Sequence, residues 1–314
     1  MLKFELTILG CSSATPTSDR NPTSQVLNVH ERLFLIDCGE AAQIQLRKFS
    51  IRFQKIDHIF ISHLHGDHYL GLVGLLGTMH LLGRTKKLKI YSPKGLQEIV
   101  EVQHKHSDTF LRYPVEFVEL ETEKRNTIFE NDSVTVETIP LSHRVPCCGF
   151  LFTEKEGERK VIPEKLAEHK VRTAYINKIK KGEDYKTEDD RLIPNSELTI
   201  APTPPRSFAY CSDTVFLPAL VPIIKGVDLL YHEATFASDM GERAAETFHS
   251  TATQAATIAH KAEVKQLIIG HYSARYNDLS ILLEEAKAVF ENTLLAEEGK
   301  TYEVNAFVEN HTIN

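Results

Sequence analysis

The chain has 314 residues, 42% of them apolar, with 36 Lys and Arg against 43 Asp and Glu and a formal net charge of −7. That length and apolar content fill a sizeable core in one large domain or two ordinary ones. The charge excludes a protein coated uniformly with positive charge for nucleic acid, but not one with a local basic patch. No stretch approaches the roughly 20 apolar residues of a membrane span, and the segment after Met1 lacks the parts of a signal peptide and reads as a first strand. Five scattered cysteines (Cys11, Cys38, Cys147, Cys148, Cys211) are too sparse and odd a set for a disulfide framework, so a reducing cytoplasm is the expected location.

In chain order, apolar runs predict strands over 3–9, 25–29, 33–36, 56–61 and 88–91. Helices are expected over 40–49 and over the nearly all-apolar 69–82. In the latter Gly71, Gly74 and Gly77 suggest close packing against a sheet. Further strands follow at 115–120 and 134–141. The second half repeats the grammar, with strands at 207–211, 228–231 and 266–270 and helices at 251–262 and 280–291. This alternation favours an α/β layered sandwich of two helix-covered sheets. Residues 154–206 break it, being charged, proline-bearing and poor in apolar runs, and read as an inserted arm with a short hairpin or helix, outside the core. Within it nine basic residues stand against four acidic ones between Lys155 and Lys181.

Chemistry concentrates in His63-Leu64-His65-Gly66-Asp67-His68, directly after an apolar run. Imidazole and carboxylate at this spacing can serve two metal ions. His63 and His65 lie on one side of an extended backbone, and Gly66 lets the chain bend before Asp67 and His68. Other candidates fall just past predicted strands: His143, Asp213, His232-Glu233 and His271. His143 or His271 alone would read as an ordinary buried histidine; the motif reverses that. Two zinc ions with open positions want three or four protein ligands each. Grouping His63, His65 and His143 on one and Asp67, His68 and His271 on the other, with Asp213 between, satisfies both. His30, His58, His80, His104, His106, His169, His260 and His311 lack such contexts and read as structural or surface residues.

These ligands resemble those of the metallo-β-lactamase superfamily. Within it the chain resembles ribonuclease Z in Phe4 to Gly10 with Pro16 to Asn21, Ile36 to Glu40, Ser62 to Gly71, His143-Arg144-Val145-Pro146, His232 to Phe236, His249-Ser250-Thr251 and His271 to Tyr276. The resemblance implies an αββα sandwich of two mixed β-sheets flanked by helices, one domain over 1–314, with residues 154–206 as a flexible tRNA-gripping exosite. It implies two Zn2+ per subunit, with Mn2+ a substitute, no organic cofactor, precursor tRNA as substrate, and a homodimer away from membranes. Asp67 would be the base, and His249, held by Glu233, the acid for the leaving ribose oxygen. Substrate contacts are expected from Arg20, Asn21 and Arg275, and from Lys178, Lys180 and Lys181 of the arm. Two departures stand out: Ser18 replaces the lysine usual in the loop, and the arm lacks a Gly-Pro pair. Competing readings are a hydrolase of a small ester, thioester or lactam, a di-iron redox enzyme, and a non-catalytic RNA-binding relative. The second is disfavoured by His65, where such sites usually place glutamate, and by the lack of residues for a flavin domain. The intact ligand set disfavours the third.

Overall fold

A computed structural model describes residues 2–305; His311 lies outside them. Residues 2–153 with 206–305 form one compact unit and residues 154–205 another.

The larger unit holds two seven-stranded mixed sheets. The first runs, in spatial order, Thr301–Glu303, Phe4–Gly10, Ser24–Val29, Arg32–Cys38, Ile56–Phe60, Leu88–Ser92 and Val115–Glu119. It is antiparallel up to Arg32–Cys38 and parallel beyond. The second runs Thr293–Leu295, Gln266–Gly270, Leu229–Glu233, Ser207–Cys211, Cys148–Glu154, Val134–Pro140 and Thr127–Glu130, and its first four strands are parallel.

The period of two along each strand builds the layers. Phe34 and Ile36 turn into a cluster shared with Phe60, Phe150, Phe152 and Phe208, which joins the sheets. Phe60 stacks on Tyr91 at 4.6 Å between ring centres and meets Phe150 at 5.4 Å. Leu35, on the opposite face, joins Leu46, Leu72, Leu75, Leu76 and Val100 of the helices Ala42–Lys48, Leu72–Leu81 and Leu96–His106. The expected helix–sheet–sheet–helix sandwich is therefore found.

Of the three glycines, Gly71 packs against the chain just past the strand Arg32–Cys38, and Gly74 against Gln43 of the helix Ala42–Lys48, where a Cβ would lie 3.0 Å from its amide nitrogen. A Cβ on Gly71 would lie 2.1 Å from the Gly39 carbonyl oxygen, whereas at Gly77 it would meet nothing within 4 Å. The smaller unit has a small apolar cluster of its own. Its ladders pair Lys160–Val161 with Thr199–Ile200 and Tyr185–Lys186 with Leu192–Ile193. Ile179, Tyr185, Ile193 and Leu198 are buried together, with Val161, Leu166 and Val171 packed against them. These apolar residues occur singly among charges, so no run announces them. Lys178 pairs with Glu183 at 4.0 Å and Lys180 with Glu158 at 3.7 Å; both are exposed pairs that compete weakly with another anion.

Candidate active site

Five strands deliver the site. Arg32–Cys38 carries Asp37 as its next-to-last residue, Ile56–Phe60 leads to Ser62 and His63, Ser207–Cys211 to Ser212 and Asp213, Leu229–Glu233 ends in Glu233, and Gln266–Gly270 leads to His271. Strand ends of a rigid sheet fix side-chain origins within a fraction of an ångström, which multidentate chemistry requires. After His65 the chain enters the short helix Gly66–Tyr69, which carries Asp67 and His68. Gly66 is absent from the left-handed glycines, so the bend is an ordinary helical turn. Asp37 and His271 do adopt left-handed φ, 53° and 62°, an uncommon conformation for side-chain-bearing residues that the surrounding packing maintains.

Two donor clusters result. His63 Nε2 and His143 Nε2 each lie 3.1 Å from His65 Nδ1, and Asp213 Oδ2 lies 3.6 and 3.8 Å from the same two Nε2 atoms. In the second cluster His68 Nε2 and His271 Nε2 lie 3.3 and 3.4 Å from Asp67 Oδ2, and 3.4 and 3.2 Å from Asp213 Oδ1. Each oxygen of Asp213 thus serves one cluster. His63, His65, His143 and Asp213 form one group with metal-binding spacing, and Asp67, His68 and His271 another.

The hydrogen bonds around the rings decide which nitrogens are lone pairs. His68 Nδ1–H donates to Asp37 at 2.7 Å and His143 Nδ1–H to the Phe248 carbonyl at 2.9 Å. Thr235 Oγ1 donates to Glu233 Oε2 at 2.8 Å and so accepts from His271 Nδ1–H at 2.9 Å. Ser62 Oγ donates to Asp37 Oδ2 at 2.9 Å, leaving it to accept from His63 Nδ1–H at 3.1 Å. All four Nε2 atoms therefore present lone pairs, as metal-ligating histidines do. The Nε2 atoms of His68 and His271 are buried with no hydrogen bond. Buried polar atoms seldom go unpaired, and facing carboxylate oxygens across little more than 3 Å they fit a cation between them.

Electrostatics agrees. Burial opposes charge on Asp67 and Asp213, yet the surrounding histidines outweigh it and hold both carboxyls well below the usual carboxylate range. Burial pushes His63 well below its ordinary value and lowers His143. His68 goes the other way: burial opposes its charge, but Asp67, Asp213 and Asp37 overcome it. Three carboxylates converging there create a demand for positive charge, for which protons and metal ions compete.

Beside the clusters lies an acid–base pair. Glu233 is fully buried, and its Oε1 accepts from Thr214 N, His249 Nδ1 and Ser250 N at 3.0 to 3.1 Å while Oε2 accepts from Thr235 N and Oγ1 at 3.1 and 2.8 Å. Burial works against a charge on His249, but Glu233 and then Asp213 lift its pKa to about 9. Thr251, two residues on, caps the helix Ala252–Lys261 in a capping box with Gln254, so capping makes no demand on His249.

The cleft over the clusters has a volume of about 630 Å3 and is lined by Arg144, Arg243 and Arg275 together with Asp67, His249 and Phe236. Of the residues expected to contact substrate, Arg275 lines it. Arg20 and Asn21 do not: Arg20 donates to the Tyr276 carbonyl at 2.7 Å and Asn21 to Glu298. Arg144 and Arg243 went unassigned in the sequence, as did Asp37, Ser62 and Tyr210 behind His68. Asp37 was detectable by the strand-end argument that found Asp213. All five cysteines are buried and unbridged, including Cys147 and Cys148.

Residues 4–164 match the family model described as the anti-Pycsar protein Apyc1. Ribonuclease Z of Bacteroides fragilis is 54% identical over 95% of this chain and 98% of its own length, and that of Bacteroides thetaiotaomicron 52% identical over 98% of each. Human tRNase Z, short form, superposes with a TM-score of 0.70 at 27% identity, over 96% of this chain and all of that one. With this identity over nearly its whole length, and with the donor clusters in place, the chain belongs to the ribonuclease Z family.

Proposed function

We propose that the chain is a zinc-dependent endoribonuclease that removes the 3′ trailer from precursor tRNA, leaving a 3′-hydroxyl on the tRNA and a 5′-phosphate on the trailer. The observation that carries this reading is the sharing of Asp213 between two donor clusters, in a cleft also lined by His249, which the buried Glu233 holds from behind. His63, His65 and His143 would hold one ion, Asp67, His68 and His271 the other, with Asp213 common to both; manganese is the alternative occupant. Two such ions supply Lewis acidity, bringing the pKa of water down towards about 7 and neutralising charge on the phosphate.

The chain's own residues do the rest. Asp67 turns Oδ2 towards His68 and His271, leaving Oδ1 to accept a proton from the attacking water. His249, its Nδ1–H held by Glu233, keeps Nε2 for the departing ribose 3′ oxygen, a poor leaving group that needs an acid. Arg144, Arg243 and Arg275 are placed to bind phosphates flanking the scissile one, which favours a polyanionic strand over a small neutral ester.

Residues 154–206 serve as the exosite, with Lys178, Lys180 and Lys181 on tRNA phosphates. The working unit is a homodimer in which one subunit's arm grips the tRNA cut by the other; a monomer in sedimentation at working concentration would defeat that arrangement. No helix among the described residues is long and apolar enough to cross a membrane, and the five unbridged thiols support a cytoplasmic setting. The test is metal analysis coupled to cleavage of a precursor tRNA lacking CCA. Cut product with two zinc ions bound is expected; two zinc ions and no product would favour a small-ester hydrolase.

A further inference from the structure

Behind the cleft wall lies a half-buried polar cluster that the mechanism leaves unused. The loop between the strands Phe4–Gly10 and Ser24–Val29 contributes Ser13, Ala14 and Thr15 to the cleft lining. It is closed on itself: Ser12 N donates to Asn21 O at 2.9 Å, Thr17 N to Arg20 O at 2.9 Å, and Ser12 Oγ to Thr15 O at 3.0 Å. At its base a Cβ on Gly10 would lie 1.8 Å from the Pro22 carbonyl oxygen, so only glycine allows the two limbs to close. Ser13 N donates to Tyr272 O at 2.9 Å and Arg20 to Tyr276 O at 2.7 Å, tying the loop to the segment after His271.

The remaining anchor is a single carboxylate. Glu298, in the turn between Thr293–Leu295 and Thr301–Glu303, accepts from Asn21 N at 2.5 Å on Oε1 and from Asn21 Nδ2 at 2.8 Å on Oε2. Oε2 also accepts from Gln45 Nε2 at 2.6 Å, and that amide, 3% exposed, donates its other hydrogen to Leu9 O at 2.7 Å. One acceptor therefore joins the loop, the helix Ala42–Lys48 and the last turn of the sheet. Asn21 gives its backbone N–H and one side-chain N–H to this contact, so these bonds fix the loop.

We propose that Glu298 is a positioning residue for substrate recognition, holding Asn21 so that Ser13 to Thr15 stand as the cleft wall against which the RNA strand packs. This rests on the RNA-cleaving reading of the site. An amide is a poor replacement, because it has one acceptor oxygen and turns its own donors on Asn21 and Gln45. Reversing the polarity of the pair restores the side-chain contact with residue 21 but not the one with Gln45: with Asn21→Asp and Glu298→Gln together, the amide donates to the new carboxylate.

The test compares wild type, Glu298→Gln, Glu298→Ala and the Asn21→Asp/Glu298→Gln double variant on a precursor tRNA and on bis(p-nitrophenyl) phosphate, a small diester with no RNA strand to pack against the wall. For the single variants KM for precursor tRNA is expected to rise about tenfold with kcat within about twofold, as lost uniform binding dictates. Diester turnover and metal content should stay at wild-type levels, and the double variant should recover part of the loss. Amide hydrogen exchange at Asn21, which needs no substrate, should speed up in Glu298→Ala. Equal loss on both substrates, unchanged KM for precursor tRNA, or wild-type exchange at Asn21 would each overturn the assignment. A wild-type protein that hydrolyses the diester but cuts no precursor would refute the RNA-cleaving reading instead, with the exchange result still deciding whether Glu298 holds the loop.

Discussion

Replacing Asp37 by asparagine tests whether the metal-facing geometry is built from behind. Its carboxylate, fully buried, accepts from Ser62 N at 2.7 Å, Ser62 Oγ at 2.9 Å, His68 Nδ1 at 2.7 Å and Tyr210 OH at 2.6 Å. An amide keeps one acceptor and aims N–H groups at donors that already point inward. Bonds to a charged acceptor contribute roughly 1.5–3 kcal/mol each and are not additive. Breaking one partner of a buried charged pair costs about 3–5 kcal/mol, which sets the expected loss in urea unfolding of the metal-free protein followed by circular dichroism. His68 would also lose the bond that fixes its tautomer, so zinc affinity measured by chelator competition should fall about 10- to 100-fold. Tyr210→Phe removes one donor and leaves the carboxylate, and should cost about 1–2 kcal/mol with a smaller change in affinity. If Asp37→Asn unfolds at the wild-type midpoint and binds zinc with wild-type affinity, the supporting role of this network is refuted.

His249→Ala should retain its metal and lose about 10²- to 10⁴-fold in kcat on precursor tRNA, as removal of a proton donor does; wild-type turnover would remove the role given to His249. Arg275→Ala and Arg144→Ala should each raise KM and flatten the dependence of log affinity on log salt by about one phosphate contact, measured by filter binding at several salt concentrations. Burial lowers the pKa of His58 to about 4 from an ordinary 6.5, so between these values the unfolded chain binds the extra proton. Its contribution to stability is complete above pH 6.5 and fades as pH falls towards 4. Going from pH 7 to 5 should cost about 1 kcal/mol after allowance for its partial exposure. His58→Phe, which keeps the ring contact with Phe129 at 4.4 Å between centres, should shrink that pH difference in urea midpoints.

Central strands were legible because each is a continuous apolar run: Ser207–Cys211 and Gln266–Gly270 have the expected bounds. The strand Cys148–Glu154 is hard to read in the sequence, although six of its seven residues are buried, because its short apolar run is squeezed between the His143 motif and the charged arm. The helix Leu96–His106 buries only Leu96 and Val100, too few to mark a helical period. Thr293–Leu295 and Thr301–Glu303 are three-residue edge strands below the length at which alternation can be read. The metal donors were readable because their residue types admit little other use at that spacing. Arg20 and Asn21 illustrate the limit: sequence gives the groups a loop owns but not the side to which they turn, and here neighbouring carbonyl and carboxylate oxygens claim both.

Asp213 has one oxygen on each cluster, and His63 and His271, its neighbours, stand nearly two-thirds of the chain apart. The cleft is in effect a crosslink between the two sheets, closed only when both have folded and docked. Neither half of the chain owns a complete set of donors, so a fragment ending before Asp213 should bind metal weakly and a nick that frees one sheet should release it. A ligand of the docked form present at about a hundred times its dissociation constant adds roughly 2.7 kcal/mol to stability. Metal supply would then govern how long the chain survives proteolysis as well as how fast it acts.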